Sequence, residues 1–450
     1  MKNILLFGAG KSATSLIDYL LANAPRQKWH ITVADHDLSL IKSKTGKSYY
    51  ATPAALDIKD NAARQQLIRD TDLVISLLPA TLHILVAKDC LAAKKNLLTA
   101  SYIDEEVRQL QPEIEKAGLL FMYEMGLDPG IDHMSAMKLI HSIEKKGGQI
   151  FSFKSYCGGL ISPDSNDNPW QYKVSWNARN IVMAGISGAT YKEKGKVKEL
   201  SYEQLFDHTK TIQVPGIGKL AFYPNRDSLG YMQAYKLEEL ATFMRATLRY
   251  PDFCEGWNAL IKLGLTDDRH KIATDKLTYT DWSTKSVKEG TGTPEENMAQ
   301  FLGVSTKSKV IRQLKFLGLL NTEVINLGEQ TNAGVLQFLV ENKLKMEPAD
   351  KDMIVMMHEI EFERRNMATR MHSYMIVQGE DNIHTAMAKT VGLPLGIMAK
   401  MILQDKVTLT GLQIPVMPEN SQLTSIKKHP PVDGCFTSFM GISGLPLNGH

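Results

Sequence analysis

The chain has 450 residues, 43% of them hydrophobic and 22% charged, with a formal net charge of +3. Such a length is expected to divide into two or three domains, and so slight a charge gives a nucleic-acid partner no electrostatic support. The four cysteines, Cys90, Cys157, Cys254 and Cys435, fall in no ligand-like spacing, so free thiols in a reducing compartment are expected, and no metal site. The sequence opens without a signal-like segment and no apolar run reaches the ~20 residues that span a bilayer, so the expected setting is the cytoplasm, with no membrane partner.

An apolar run, Ile4-Leu5-Leu6-Phe7, leads into Gly8-Ala9-Gly10-Lys11-Ser12-Ala13 and then a helix over residues 12–21. This is the G-x-G-x-x-A form of the dinucleotide fingerprint. In it Gly8 makes the tight turn, Gly10 lets the backbone approach a pyrophosphate and Ala13 lets helix pack on strand. The helix N-terminus then offers N–H groups to the phosphates. A second strand over residues 29–34 ends at Asp35, where the ribose-binding acid is expected. A carboxylate there favours NAD by repelling a 2′-phosphate, while Lys42, Lys44 and Lys47 leave NADP open. A third strand end, residues 54–58, offers Asp57 to the adenine side. Residues 73–79, 96–102 and 118–122 supply three more strands at helix-length separations. Together they predict a doubly wound parallel sheet that binds ligands beyond its carboxyl ends. Ser101, Tyr102 and Asp128 belong to that edge.

Met125-Gly126-Leu127-Asp128-Pro129-Gly130-Ile131-Asp132-His133-Met134 is the pivot of the chain. Two glycines and a proline hold a turn with Asp128 at its tip, and Met134, Met137 and Ile140 then recur at helical spacing. From residue 151 the pattern becomes that of an antiparallel strand, reaching Cys157-Gly158-Gly159. A polar loop and Tyr172-Lys173-Val174-Ser175-Trp176 follow. Two later segments end in arginines, Arg226 and Arg249. Residues 251–345 read as mainly helical, and the basic, apolar stretch 305–319 is taken as ordinary helix packing, not a winged helix. Residues 352–363 return to strand, and residues 386–403 form a long apolar helix interrupted at Gly392-Leu393-Pro394, expected to pack back onto the first domain.

The motifs Gly126-Leu127-Asp128-Pro129-Gly130-Ile131-Asp132-His133-Met134, Ser155-Tyr156-Cys157-Gly158-Gly159-Leu160, Tyr223-Pro224-Asn225-Arg226-Asp227-Ser228 and Thr247-Leu248-Arg249-Tyr250 resemble those of the L-glutamate-forming saccharopine dehydrogenases, or saccharopine reductases. The resemblance implies an N-terminal Rossmann domain (residues 1–130, with a returning helix at about 381–403). It also implies a mixed-sheet α/β substrate and dimerisation domain (131–250 and 346–416) and a helical insertion (251–345), in a homodimer. It places the cofactor against Gly8, Gly10, Lys11, Ser12, Ala13, Thr14, Asp35, Asp57, Ile58, Ala100, Ser101, Leu127, Asp128, Pro129 and Trp176. The substrate would meet Ser101, Tyr102, Asp128, Arg226, Thr247, Leu248 and Arg249. Fungal NADP enzymes of this family carry an arginine just after the second strand. Here the run is Ala34-Asp35-His36, which moves the expected cofactor towards NAD. The run from Glu419 does not resemble the family's closing helix.

The implied reaction takes saccharopine, NAD(P)+ and water to L-glutamate, 2-aminoadipate 6-semialdehyde and NAD(P)H. Its substrate carries three carboxylates, which guanidinium forks hold in bidentate fashion. Proton transfer at the secondary amine and at the attacking water falls first to Asp128 and Tyr102, then to Cys157 and His133. Plainer readings compete: an Asx bond for Asp128, carboxylate binding for Tyr102, a small buried thiol for Cys157, surface ion pairs for the arginines and a packing role for His133. A carboxynorspermidine or carboxyspermidine dehydrogenase is the rival enzyme, though its cationic substrate would want acids where Arg226 and Arg249 stand. A non-catalytic nucleotide sensor is the rival from another class.

Overall fold

The computed structural model describes residues 1–287, 290–417 and 442–446. Cys435 and the run from Glu419 to residue 441 lie outside the described residues. The chain forms two compact units. The first comprises Met1–Gly147 and the segment that begins at Ile383; the second comprises Gly148–Asn382 and the strand Ile442–Pro446.

Six strands follow one another in the first unit: β1 (Lys2–Phe7), β2 (Trp29–Asp35), β3 (Ala51–Ala55), β4 (Leu73–Ser76), β5 (Asn96–Thr99) and β6 (Leu120–Met122). With Gly411–Gln413 at one edge the order is Gly411–Gln413, β6, β5, β4, β1, β2, β3, every pair parallel. Helices cover both faces of the sheet, so its central strands are apolar runs: in β1, Ile4, Leu5, Leu6 and Phe7 are each 1% exposed or less, whereas the edge strand β3 buries none of its residues.

Several expectations about this unit change. The first helix, α1 (Thr14–Gln27), starts after a 3-10 turn at Lys11–Ala13 and runs through Pro25 to Lys28, whose left-handed backbone returns an N–H to Ala24 O. The helix Ile131–Lys145 stays within the first unit, so the division falls after Gly147 and not at residue 130. Gly411–Gln413, expected in the second domain, completes the first sheet. Three residues are too few to show strand alternation.

The helix Ala386–Leu403 is uninterrupted at Gly392-Leu393-Pro394. A Cβ on Gly392 would lie 2.8 Å from Leu16 N, and one on Gly396 2.5 Å from the Tyr19 ring. The glycines serve close packing on α1 and not a break. By length and composition this helix could cross a membrane, and 67% of it is buried inside the structure.

The second unit is built on a mixed sheet. Along its main path lie Lys210–Val214, Gly218–Pro224, Thr242–Arg249, Gln149–Ile161, Asp352–Arg364, Met367–Gln378 and Ile442–Pro446. Asp352–Arg364 and Met367–Gln378 pair antiparallel through Arg365-Asn366. Both loop residues have positive φ (53° and 56°), the type I′ geometry that matches strand twist. Residues 251–345 do not stand as a separate body: Trp257, Leu314 and Leu336 share one core with Ala221 and Tyr223 of the sheet. The helix Lys309–Leu317 buries Ile311, Leu314 and Leu317 in that core, a packing role.

Candidate active site

In the first unit the loops after β1, β2, β3, β5 and β6 leave the same edge of a parallel sheet. Gly8 has φ 96°, and a Cβ there would lie 2.6 Å from Leu77 O, so only glycine makes this turn. A Cβ on Gly10 would meet nothing within 4 Å. The turn therefore presents an open face to a ligand, and a dinucleotide pyrophosphate fits it. Thr14 and Ala13 are buried behind this face, and Lys11 and Ser12 flank it. Asp35 Oδ2 accepts from Ala9 N at 2.7 Å, which ties the ribose-side acid to the turn. The other oxygen accepts from Asp37 N at 3.2 Å and lies 2.7 Å from His36 Nδ1. A second helix, α2 (Leu38–Thr45), sends Lys44 back to Gly10 O (2.6 Å) and Thr14 Oγ1 (2.8 Å). Asp35 is thus not the bare carboxylate on which the preference for NAD rested. Asp57 is exposed and caps its own turn through Lys59 N (2.9 Å), beside the half-buried Ile58. Ile58 O accepts from the buried Arg64, itself paired with Asp89 at 2.6 Å.

The turn at Asp128 is closed by its own backbone. Gly126 N donates to Pro129 O (3.0 Å) and Ile131 N to Gly126 O (2.9 Å), around a cis Asp128–Pro129 bond. Gly130 has φ 145°, and a Cβ on it would lie 2.1 Å from Gly126 O. Of residues 121–130 only Asp128 is not fully buried. Tyr102 Oη lies 3.4 Å from Asp128 Oδ1, so the two first candidates for proton transfer meet. Ala100 abuts Gly126, and Ser101 O accepts from Glu124 N at 3.0 Å.

Behind the turn is a group that the sequence did not reveal. Glu124 is 4% exposed with φ 56°, and its Oε2 lies 2.8 Å from Nε2 of the fully buried His133. His133 Nδ1 is 3.7 Å from Asp132 Oδ2, and Asp132 Oδ1 accepts from Gly130 N at 2.6 Å. His133 therefore braces the turn, the packing role. No spacing rule links Glu124 to His133, because the pair is made by a left-handed residue after β6.

In the second unit the sheet register sets Cys157 opposite Thr247 and Thr247 opposite Tyr223, one row across three strands. Arg249 follows two residues after Thr247 on the same face. Leu248 therefore faces the other way, into the core with Tyr156 and Phe222, and only its carbonyl serves the site, accepting from Arg249 Nη1 at 2.8 Å. The substrate contact expected of Leu248 thus falls to its main chain, since its side chain faces the core.

Arg249 is 5% exposed, its guanidinium 5.6 Å from the Tyr172 ring centre and 5.5 Å from that of Phe253. Nε has no hydrogen-bond partner, and no carboxylate among the described residues pairs with this guanidinium. Burial pushes the Tyr223 hydroxyl up to about 12 and raises that of Tyr172 as well, so neither supplies a negative charge. Trp176 joins the cluster by donating to Tyr172 Oη at 3.1 Å. Cys157 is buried. Arg226 lies elsewhere on the sheet, exposed on a two-residue strand with φ 50° and opposite Ala189.

A parallel sheet with this glycine turn, attached to a second unit that buries an uncompensated arginine, describes a class: an oxidoreductase that takes a nicotinamide dinucleotide and an anionic substrate. Known proteins narrow the class. Residues 4–122 match the family described as saccharopine dehydrogenase NADP binding domain, and residues 126–429 match the saccharopine dehydrogenase C-terminal domain. The chain is 34% identical to the Saccharomyces cerevisiae saccharopine dehydrogenase [NADP(+), L-glutamate-forming], over 93% of this chain and 94% of that one. It is also 34% identical to the mouse mitochondrial alpha-aminoadipic semialdehyde synthase, over 93% of this chain and 46% of that protein. A solved structure of apo saccharopine dehydrogenase (L-Glu forming) from S. cerevisiae superposes with a TM-score of 0.85, covering 99% of this chain and 100% of that one. The chain belongs to the saccharopine dehydrogenase family.

Proposed function

We propose that the protein oxidises saccharopine with a nicotinamide dinucleotide and water, releasing L-glutamate and 2-aminoadipate 6-semialdehyde, or runs the reverse condensation. Support comes from family membership along nearly the whole chain, and the observation that carries the substrate assignment is Arg249. A buried guanidinium without an internal counter-ion is costly, and a substrate carboxylate supplies the missing charge through a charge-assisted fork.

A nicotinamide dinucleotide held by the turn at Gly8 and Gly10 and by Asp35 would supply the hydride acceptor for the carbon beside the secondary amine. The chain supplies the rest. Arg249 holds a carboxylate, with Thr247 and Tyr223 lining the same face. Asp128 takes the proton from the amine, and Tyr102 orders Asp128 by donating to its Oδ1. The His133–Glu124 pair keeps the Asp128 turn in place. Cys157 lines the row beside Thr247 as a small buried side chain. NADP(H) is proposed as a working cofactor beside NAD(H), since the charge of Asp35 is shared among Ala9 N, Asp37 N and His36. The homodimer implied by the family is part of the same proposal and is read by light scattering.

The test offers saccharopine and carboxynorspermidine to the enzyme with each cofactor and follows formation of the reduced form. Turnover of saccharopine is expected. Turnover of carboxynorspermidine alone would overturn the reading.

A further inference from the structure

The ribose-side corner of the first unit holds charge that the fingerprint alone does not explain. Lys44 reaches from the last turn of α2 to the glycine turn, where its ammonium donates to Gly10 O (2.6 Å) and Thr14 Oγ1 (2.8 Å). Among the described residues these two neutral oxygens are its only polar partners, and no carboxylate lies within 4 Å of it. Asp18 on α1 and Asp35 at the end of β2 act on it only through space, and burial outweighs both, bringing the amine down to about 8. Asp18 is itself drawn towards His384, 3.6 Å away, and Asp35 towards His36, 2.7 Å away. Each acid in this corner thus has a histidine, whereas the lysine has none of the acids. A desolvated ammonium without a counter-ion is stabilised by an incoming anion, and this one stands beside the open face of Gly10.

We propose that Lys44 is the specificity residue that admits a 2′-phosphate to this cradle, so that the turn takes NADP(H) as well as NAD(H) despite Asp35. A lysine suits the task because its ammonium is a point charge on a flexible stem. It leaves Gly10 O and Thr14 Oγ1 for the phosphate oxygens without disturbing the turn, whose geometry is fixed by Gly8 and by the bond from Ala9 N to Asp35. With NAD bound, the ammonium stays on its two neutral oxygens, and Asp35 keeps the ribose hydroxyl. The same corner then serves both cofactors, with the lysine engaged by one and idle for the other.

This assignment rests on the dinucleotide site proposed above but not on the identity of the substrate. Its test is therefore cofactor binding alone: titration of the full-length protein with NADPH and NADH, followed by fluorescence, without saccharopine. Lys44→Met is expected to weaken NADPH binding at least tenfold while changing NADH binding less than threefold. Lys44→Arg is expected to retain most of the NADPH affinity. Lys47→Met, which removes an exposed lysine two residues beyond α2, serves as the control for general surface charge and is expected to change neither. Equal loss for both cofactors in Lys44→Met would make the lysine a support of the turn or of the pyrophosphate, and would overturn the proposal. So would unchanged NADPH binding, or an equal loss in Lys47→Met. Failure of saccharopine turnover with these binding results intact would count against the reaction and leave the lysine assignment standing.

Discussion

Replacing Arg249 by Met separates the cost of burying a charge from the use made of it. The guanidinium is 5% exposed, donates one hydrogen bond, to Leu248 O at 2.8 Å, leaves Nε without a partner and lies over two aromatic rings. Its removal forfeits one charged hydrogen bond, worth about 1.5–3 kcal/mol, and cation–π contacts of about 1 kcal/mol each. It also relieves a desolvation penalty of several kcal/mol. The free enzyme is expected to unfold at an unchanged or higher temperature. Saccharopine loses an ion pair in a dry setting, about 2–5 kcal/mol, so kcat/KM falls on the order of 100-fold or more. Most of that is expected in KM, because a carboxylate away from the reacting carbon is held equally in ground and transition states. Steady-state kinetics beside thermal unfolding of the same preparations read both effects. A lower melting temperature with an unchanged KM would refute the reasoning, since the arginine would then be a structural cation.

Arg226→Met is expected to raise KM less than Arg249→Met, because Arg226 is exposed and water already screens it; equal effects in parallel kinetics would give both arginines the same standing. Asp128→Asn is expected to lower kcat by about 10²–10⁴, with Tyr102→Phe intermediate, and a flat kcat in either variant would remove that residue from proton transfer. His133→Ala leaves Glu124 buried without its imidazole partner and is expected to cost about 3–5 kcal/mol in urea unfolding, whereas a loss below about 1 kcal/mol would mean that the turn at Asp128 is held by its backbone alone. In the second unit, burial raises the Glu359 carboxyl, but hydrogen bonds from His372 and Lys154 more than offset it and hold the group down at about 2. A depressed acid stabilises the fold above its unfolded pKa and loses that contribution as pH falls towards the folded one. The gap between wild type and Glu359→Gln in urea midpoints is thus expected to be greatest near neutral pH, of the order of 3 kcal/mol, and to close between about pH 4.5 and about 2. A gap that stays constant over that range would contradict the depressed carboxyl.

What was legible in the sequence follows from the range of the signal. The glycine turn, β1 and Asp35 are local, each defined within a few residues, and all stand where strand, turn and acid were expected. β1, β4, β5 and β6 were legible because burial on both faces makes apolar runs, whereas the part-exposed edge strand β3, Ala51–Ala55, carries no such run and its end was expected three residues too late, at 54–58. Gly411–Gln413 was not, being three residues whose assignment depends on pairing with β6. Gly392 and Pro394 read as a break because local propensity carries no information about Leu16 and Tyr19 on α1. The proximity of Tyr102 and Asp128 could be guessed from their shared sheet edge. The pairing of Glu124 could not, since its side chain reaches across elements at a separation that no motif encodes; Lys44 was one of three lysines that left NADP open, and only its reach to Gly10 O and Thr14 Oγ1 sets it apart from Lys42 and Lys47. The orientation of Leu248 was not read either: it sits inside the right motif, but period-2 alternation turns its side chain away from Arg249.

The central claim is that this chain cleaves saccharopine on the lysine side of its amine, and the products report that directly. With saccharopine and oxidised cofactor, glutamate and 2-aminoadipate 6-semialdehyde are expected by mass spectrometry, in step with the reduced cofactor. Lysine and 2-oxoglutarate instead, or no product with either cofactor, would contradict it.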